Sequence, residues 1–76
     1  MPIRPYLDGE FFDPELIDTM SHALADACMM LGLKDREDAA VRLLAMRIIK
    51  GARDGVHDRA SLKAAAIEGL GPALKN

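Results

Sequence analysis

The chain has 76 residues, a length that makes one domain, with half of its residues hydrophobic and a formal net charge of −2. A domain of this size buries only about 60% of the surface its unfolded chain exposes, and its core rarely supplies more than about 3–5 kcal/mol without a staple. One cysteine and two distant histidines exclude an internal disulfide and a zinc set, leaving good packing or a partner chain as the source of extra stability.

Residues 1–12 contain Pro2, Pro5 and Gly9 and no helical period, which predicts an extended arm. The arm holds every aromatic of the chain, Tyr6, Phe11 and Phe12, together with Ile3 and Leu7. That much apolar area favours an arm laid on the remainder of the protein. No basic start followed by an apolar run is present, and no window nears 18 consecutive apolar residues. The expectation is therefore a cytoplasmic protein with neither export signal nor membrane span, a setting in which a thiol stays reduced.

The first helix is predicted over 14–31. Asp13 is placed to cap it, Pro14 suits its first position, and Phe12 with Ile17 occupy the two positions of a hydrophobic staple. Leu16, Ile17, Met20, Ala23, Leu24, Ala27, Cys28 and Leu31 gather on one side, while Glu15, Asp18, His22 and Asp26 face away. Cys28 falls within the apolar stripe and reads as a small buried hydrophobe rather than a reactive thiol. Gly32 is the expected left-handed stop.

A second helix is predicted over 36–54, with Asp35 as cap, Asp38 three residues on and Gly55 as terminator. Val41, Leu44, Ala45, Ile48, Ile49 and Ala52 share its apolar face; Arg36, Arg42, Arg47, Lys50 and Arg53 share the opposite one. Gly51 lies inside the helix, where it costs about 1 kcal/mol relative to alanine and suggests either close approach of another helix or simply tolerated strain. Leu43 and Met46 project among the basic residues. A simple three-helix monomer would leave them in water, either as ordinary isolated surface residues or as an oligomer seam or ligand groove, a reading that Met29 and Met30 at the edge of the first helix strengthen slightly.

A short turn through Val56 and His57 leads to a third helix over 59–70, with Asp58 as cap. Leu62, Ala65, Ala66, Gly69 and Leu70 form its narrow small-residue stripe, Gly71-Pro72 is expected to end it, and residues 72–76 to fray. The fold class is then all-α, a small three-helix bundle over 13–71 preceded by the arm.

Charge divides unevenly along this plan, residues 1–33 summing to −5 and 34–76 to +3. The first helix is acidic and the second basic, as flanking solvated faces or as a docking surface for an acidic partner. No catalytic set is found, and no cofactor or metal site: His22 and His57 lack a nucleophile with its base. The i,i+4 pair of His22 and Asp26 has metal-compatible spacing, yet this is equally the spacing of ordinary solvated pairs. Read as a helix-turn-helix, the third helix offers only Arg59 and Lys63 against Glu68 and three alanines, a poor reader of base edges.

Three stretches carry a resemblance: Phe12-Asp13-Pro14-Glu15, the run from Ala45 to Gly55 (AMRIIKGARDG), and Asp58-Arg59-Ala60-Ser61-Leu62 with Ala65-Ala66. Across residues 12–70 the chain resembles short alphaproteobacterial helical proteins of unassigned function, departing from them at Cys28, where a bulkier aromatic is expected. The resemblance implies a bacterial cytosolic helical domain and brings no activity with it.

The functional expectation is a non-enzymatic protein-interaction or regulatory module that pairs with itself as a homodimer or with another protein. Its contact face is Leu43, Met46, Arg42, Arg47 and Lys50. The competing expectation is a nucleic-acid binder using Arg36, Arg42, Arg47, Lys50 and Arg53, which the acidic first helix and the net charge oppose.

Overall fold

The structure, a computed structural model, describes residues 2–35 and 37–74, with side chains described as far as Gly69. It is an all-α three-helix bundle: α1 spans Pro14–Leu31, α2 Ala39–Arg53 and α3 Arg59–Leu74, and no strand occurs among the described residues.

Each helix end follows from its local sequence. Gly32 (φ +70°) and Gly55 (φ +100°) take the left-handed conformation that closes α1 and α2. Beyond α1, the Leu33 N–H donates to the Cys28 carbonyl and the Gly32 N–H to that of Met29; beyond α2, Val56 donates to Gly51 and Gly55 to Ala52. Both ends are Schellman motifs, which satisfy carbonyls the last turn would otherwise orphan.

Helix starts differ from the sequence expectation in two places. Asp13 sits at the N-cap of α1, but its side chain accepts no capping hydrogen bond, so Pro14 and the helix pattern suffice there. Helix α2 begins at Ala39 rather than at 36. Asp35 is spent on a preceding turn, accepting the Glu37 N–H at Oδ1 (2.9 Å) and the Asp38 N–H at its carbonyl (2.9 Å). Asp38 then becomes the cap, its Oδ1 accepting the Ala40 N–H at 2.9 Å. For α3, Asp58 Oδ2 accepts both the Ser61 N–H (3.0 Å) and the Ser61 hydroxyl (3.1 Å).

The far end of α3 is a correction: the helix runs through Gly71 and Pro72 to Leu74 instead of stopping at 70. Within a last turn Pro72 removes a single N–H, the one that would serve the carbonyl of the exposed Glu68, and no later turn depends on it. The remaining tail, Lys75 and Asn76, lies outside the described residues, as does the side chain of Leu70.

The core lies between the three helices and is closed by the arm. Ile17, Met20 and Leu24 of α1, Val41, Leu44 and Ile48 of α2, and Leu62 and Ala66 of α3 are buried, with no buried polar or charged residue among those described. Cys28 is buried in the same cluster, and burial pushes its thiol up from its ordinary pKa. At Gly51, α3 packs tightly on α2: a Cβ there would lie 3.1 Å from Leu62 Cδ2.

The arm is docked. Ile3 is fully buried, Leu7 nearly so, and the Ile3 N–H donates to Ser21 Oγ on α1 at 3.0 Å. It is also not extended throughout, because Arg4–Tyr6 form one turn of 3₁₀-helix around Pro5. Phe11 departs from the docking pattern, being 97% exposed while Tyr6 and Phe12 pack against the core. No described helix is long and apolar enough to cross a membrane.

Candidate interaction face

Helix α2 buries Val41, Leu44, Ala45, Ile48, Ile49 and Ala52, and this 3.6-residue period leaves Arg42, Leu43, Met46, Arg47, Lys50 and Arg53 outside. The 3₁₀ turn of the arm packs beside α2 and converts that flank into a groove of about 400 Å³. Tyr6, Leu43, Met46 and Ile49 supply its apolar lining. Ile49 is 4% exposed and forms floor; Leu43 (47%) and Met46 (57%) are half in water.

The two walls carry opposite charge. Asp8 and Glu10 line the groove from the arm, and Arg47, Lys50 and Arg53 line it from α2. Arg53 is tied across it, donating from Nε to Glu10 Oε1 at 3.0 Å and from Nη2 to Glu10 Oε2 at 2.7 Å. The paired guanidinium holds the Glu10 carboxyl below its ordinary pKa, chiefly through the hydrogen bond. One turn back, Lys50 Nζ meets Asp54 Oδ2 at 2.8 Å, an exposed i,i+4 pair that lowers the Asp54 pKa in the same way. The Arg47 guanidinium lies over the bare backbone of Gly69 on α3. It also lines a smaller hollow of about 200 Å³ with Gly51, Val56 and Ala65.

The structure thus brings together four of the five expected face residues, Leu43, Met46, Arg47 and Lys50, and leaves Arg42 exposed on α2 outside the groove lining. The sequence reading missed Tyr6, Asp8 and Glu10. Its available signal was Asp8-Gly9, a turn dipeptide: Asp8 (φ +51°) and Gly9 (φ +84°) both take the left-handed region and swing the chain past buried Leu7 toward Arg53. Of the five cations proposed for nucleic acid, Arg53 and Lys50 hold carboxylates, Arg47 covers α3, Arg42 is exposed, and Arg36 lies outside the described residues.

The remaining polar candidates serve the fold. Arg59 donates to both carboxylate oxygens of Asp26 (2.6 and 2.8 Å), tying the start of α3 to α1 and lowering the Asp26 pKa. His22 therefore faces a carboxylate whose oxygens are already engaged, and no cluster of three metal-ligating side chains occurs among the described residues. His57 shares a shallow hollow of about 230 Å³ with Asp13, Glu15 and Thr19, where the Thr19 hydroxyl donates to the Glu15 carbonyl at 3.1 Å. No family model, curated protein or solved structure matches this chain.

Proposed function

We propose that the chain is a non-catalytic protein-interaction module that meets its partner with the groove between the arm and α2. One observation carries the reading. Leu43 and Met46 stand half-exposed above a buried floor at Ile49, an apolar strip between charged walls. Interfaces pair an apolar centre with a polar rim in this way, and side chains at that centre contribute most when a partner completes their burial. A bacterial, cytoplasmic setting belongs to the same proposal and rests on the residue pattern and the lone cysteine.

The nucleic-acid alternative draws less support, because two cations of the basic stripe already hold carboxylates of this chain. Leu43→Asp and Met46→Asp are the direct test. Both residues lie at the surface, so a charge there leaves the core intact and abolishes the contact. Oligomeric mass by light scattering and co-purification of partners read the outcome. If both variants retain every association of the parent protein, this face is ordinary surface.

A further inference from the structure

The groove has a symmetry of charge of which a single chain uses only part, through the Arg53–Glu10 pair. Its apolar strip is flanked by an acidic wall on the arm and a basic wall on α2. When such a surface meets a second copy across a two-fold axis that runs along the strip, each acidic wall faces the partner's basic wall and the apolar strips meet in the middle. Isologous dimers require this self-complementarity, since every contact from i to j is repeated from j to i. A uniformly basic stripe, as α2 alone presents, would repel its own copy.

We infer that the occupant of the groove is the same groove of a second copy, packed two-fold with Leu43 and Met46 at the centre and Asp8 of each chain opposite Lys50 of the other. The inference rests on the interaction-face reading above and adds both the partner and its orientation. Asp8 is the acid of this wall that is not the one tied to Arg53. Lys50 holds Asp54 at an exposed i,i+4 position, a pair weak enough to be shared with an incoming carboxylate. A standard interface takes about 800 Å² per partner. That is about one sixth of the 4977 Å² surface of this chain, so the groove is the centre of a patch that reaches Arg42 and the flank of the arm.

Paired charge reversal tests the arrangement. Asp8→Lys sets two lysines against each other at both symmetry-related contacts, and Lys50→Glu sets two acids. An equimolar mixture of the two variants restores attraction at both contacts. Sedimentation equilibrium on the full chain is expected to show a parent dimer. Each variant alone should dissociate at about tenfold higher protein concentration than the parent, and the mixture should return to within about threefold of the parent. Asp8 is left-handed, so Asp8→Lys also strains its turn, and Asp8→Asn, which tolerates that conformation, provides a charge-only control. Strain cannot be relieved by a change in the other chain, so recovery on mixing reports the pairing itself.

A mixture that recovers nothing overturns the orientation, and so does mass that keeps growing with concentration, the mark of head-to-tail assembly. A parent chain that stays monomeric overturns self-pairing and assigns the groove to a foreign partner. Leu43→Asp separates this failure from that of the underlying reading. If it disperses a dimer that charge reversal leaves untouched, the face stands and the two-fold pairing falls; if the dimer survives it, the face itself is wrong.

Discussion

At the scale of single residues, two interior glycines make opposite predictions from the same substitution. Replacing a helical glycine with alanine gains up to about 1 kcal/mol of helix propensity where space allows. At Gly51 the new methyl would press on Leu62 Cδ2 at 3.1 Å, and Leu62 is a fully buried core residue that must shift to admit it. At Gly69 the methyl would meet only the Arg47 guanidinium, the far end of a flexible exposed side chain. Urea titration should therefore show Gly69→Ala stabilised by about 0.5 kcal/mol, and Gly51→Ala no more stable than the parent. A gain at Gly51 equal to that at Gly69 would mean that α2 and α3 do not approach closely there. The small residues of both helices were visible in the sequence. Which of them sits under a rigid neighbour was not, because that depends on the crossing of two segments that are remote along the chain.

Among elements, the arm is the one whose role most needed the tertiary structure. Its composition predicted docking, and Ile3 and Leu7 are indeed buried, while Phe11, the aromatic next to Phe12, points into solvent. Alternation explains the contrast: Phe12 packs on the core at the entrance to α1, so its neighbour on the near-extended chain faces outward. The arm is held at Ile3 by Ser21 and at Glu10 by Arg53, and it builds one wall of the groove between those ties. Ile3→Ala is expected to cost about 2–4 kcal/mol, a large share of what a domain this small possesses. Faster hydrogen exchange across residues 3–10 should accompany the loss. A variant of unchanged stability would show that the arm is an appendage. The capping aspartates teach the same lesson on a smaller scale, since the sequence places Asp35 at the cap of α2, whereas it is Asp38 that accepts the Ala40 N–H.

At the scale of the molecule, three ion pairs among the described residues join segments or brace a helix end: Glu10 with Arg53, Asp26 with Arg59, and Asp54 with Lys50. The carboxyl of each is held below its ordinary pKa, first by its hydrogen bond to the cation. On acidification the unfolded chain takes up these protons before the folded one does. The stabilisation is thus complete above the ordinary carboxylate range and is lost as pH falls through the lower folded values. Thermal melts should hold steady from pH 7 to about pH 5 and decline below it, and Glu10→Gln should flatten part of that decline. All three pairs are exposed, so added salt should weaken the same limb. By itself the sequence determined the three α-helices, the stripes that α1 and α2 bury, the glycine stops of those two helices, and the two apolar residues stranded on the basic face, because all of these are written in short-range period and capping chemistry. Of the stripe expected for α3, Leu62 and Ala66 are buried and Gly69 is exposed. Tertiary structure alone decided that the arm supplies an acidic wall opposite that face and that Arg53 and Arg59 are spent on Glu10 and Asp26. Those partners lie 43 and 33 residues away along the chain. No local pattern encodes such a pairing; it arises when burial of the apolar stripes brings distant charged surfaces together.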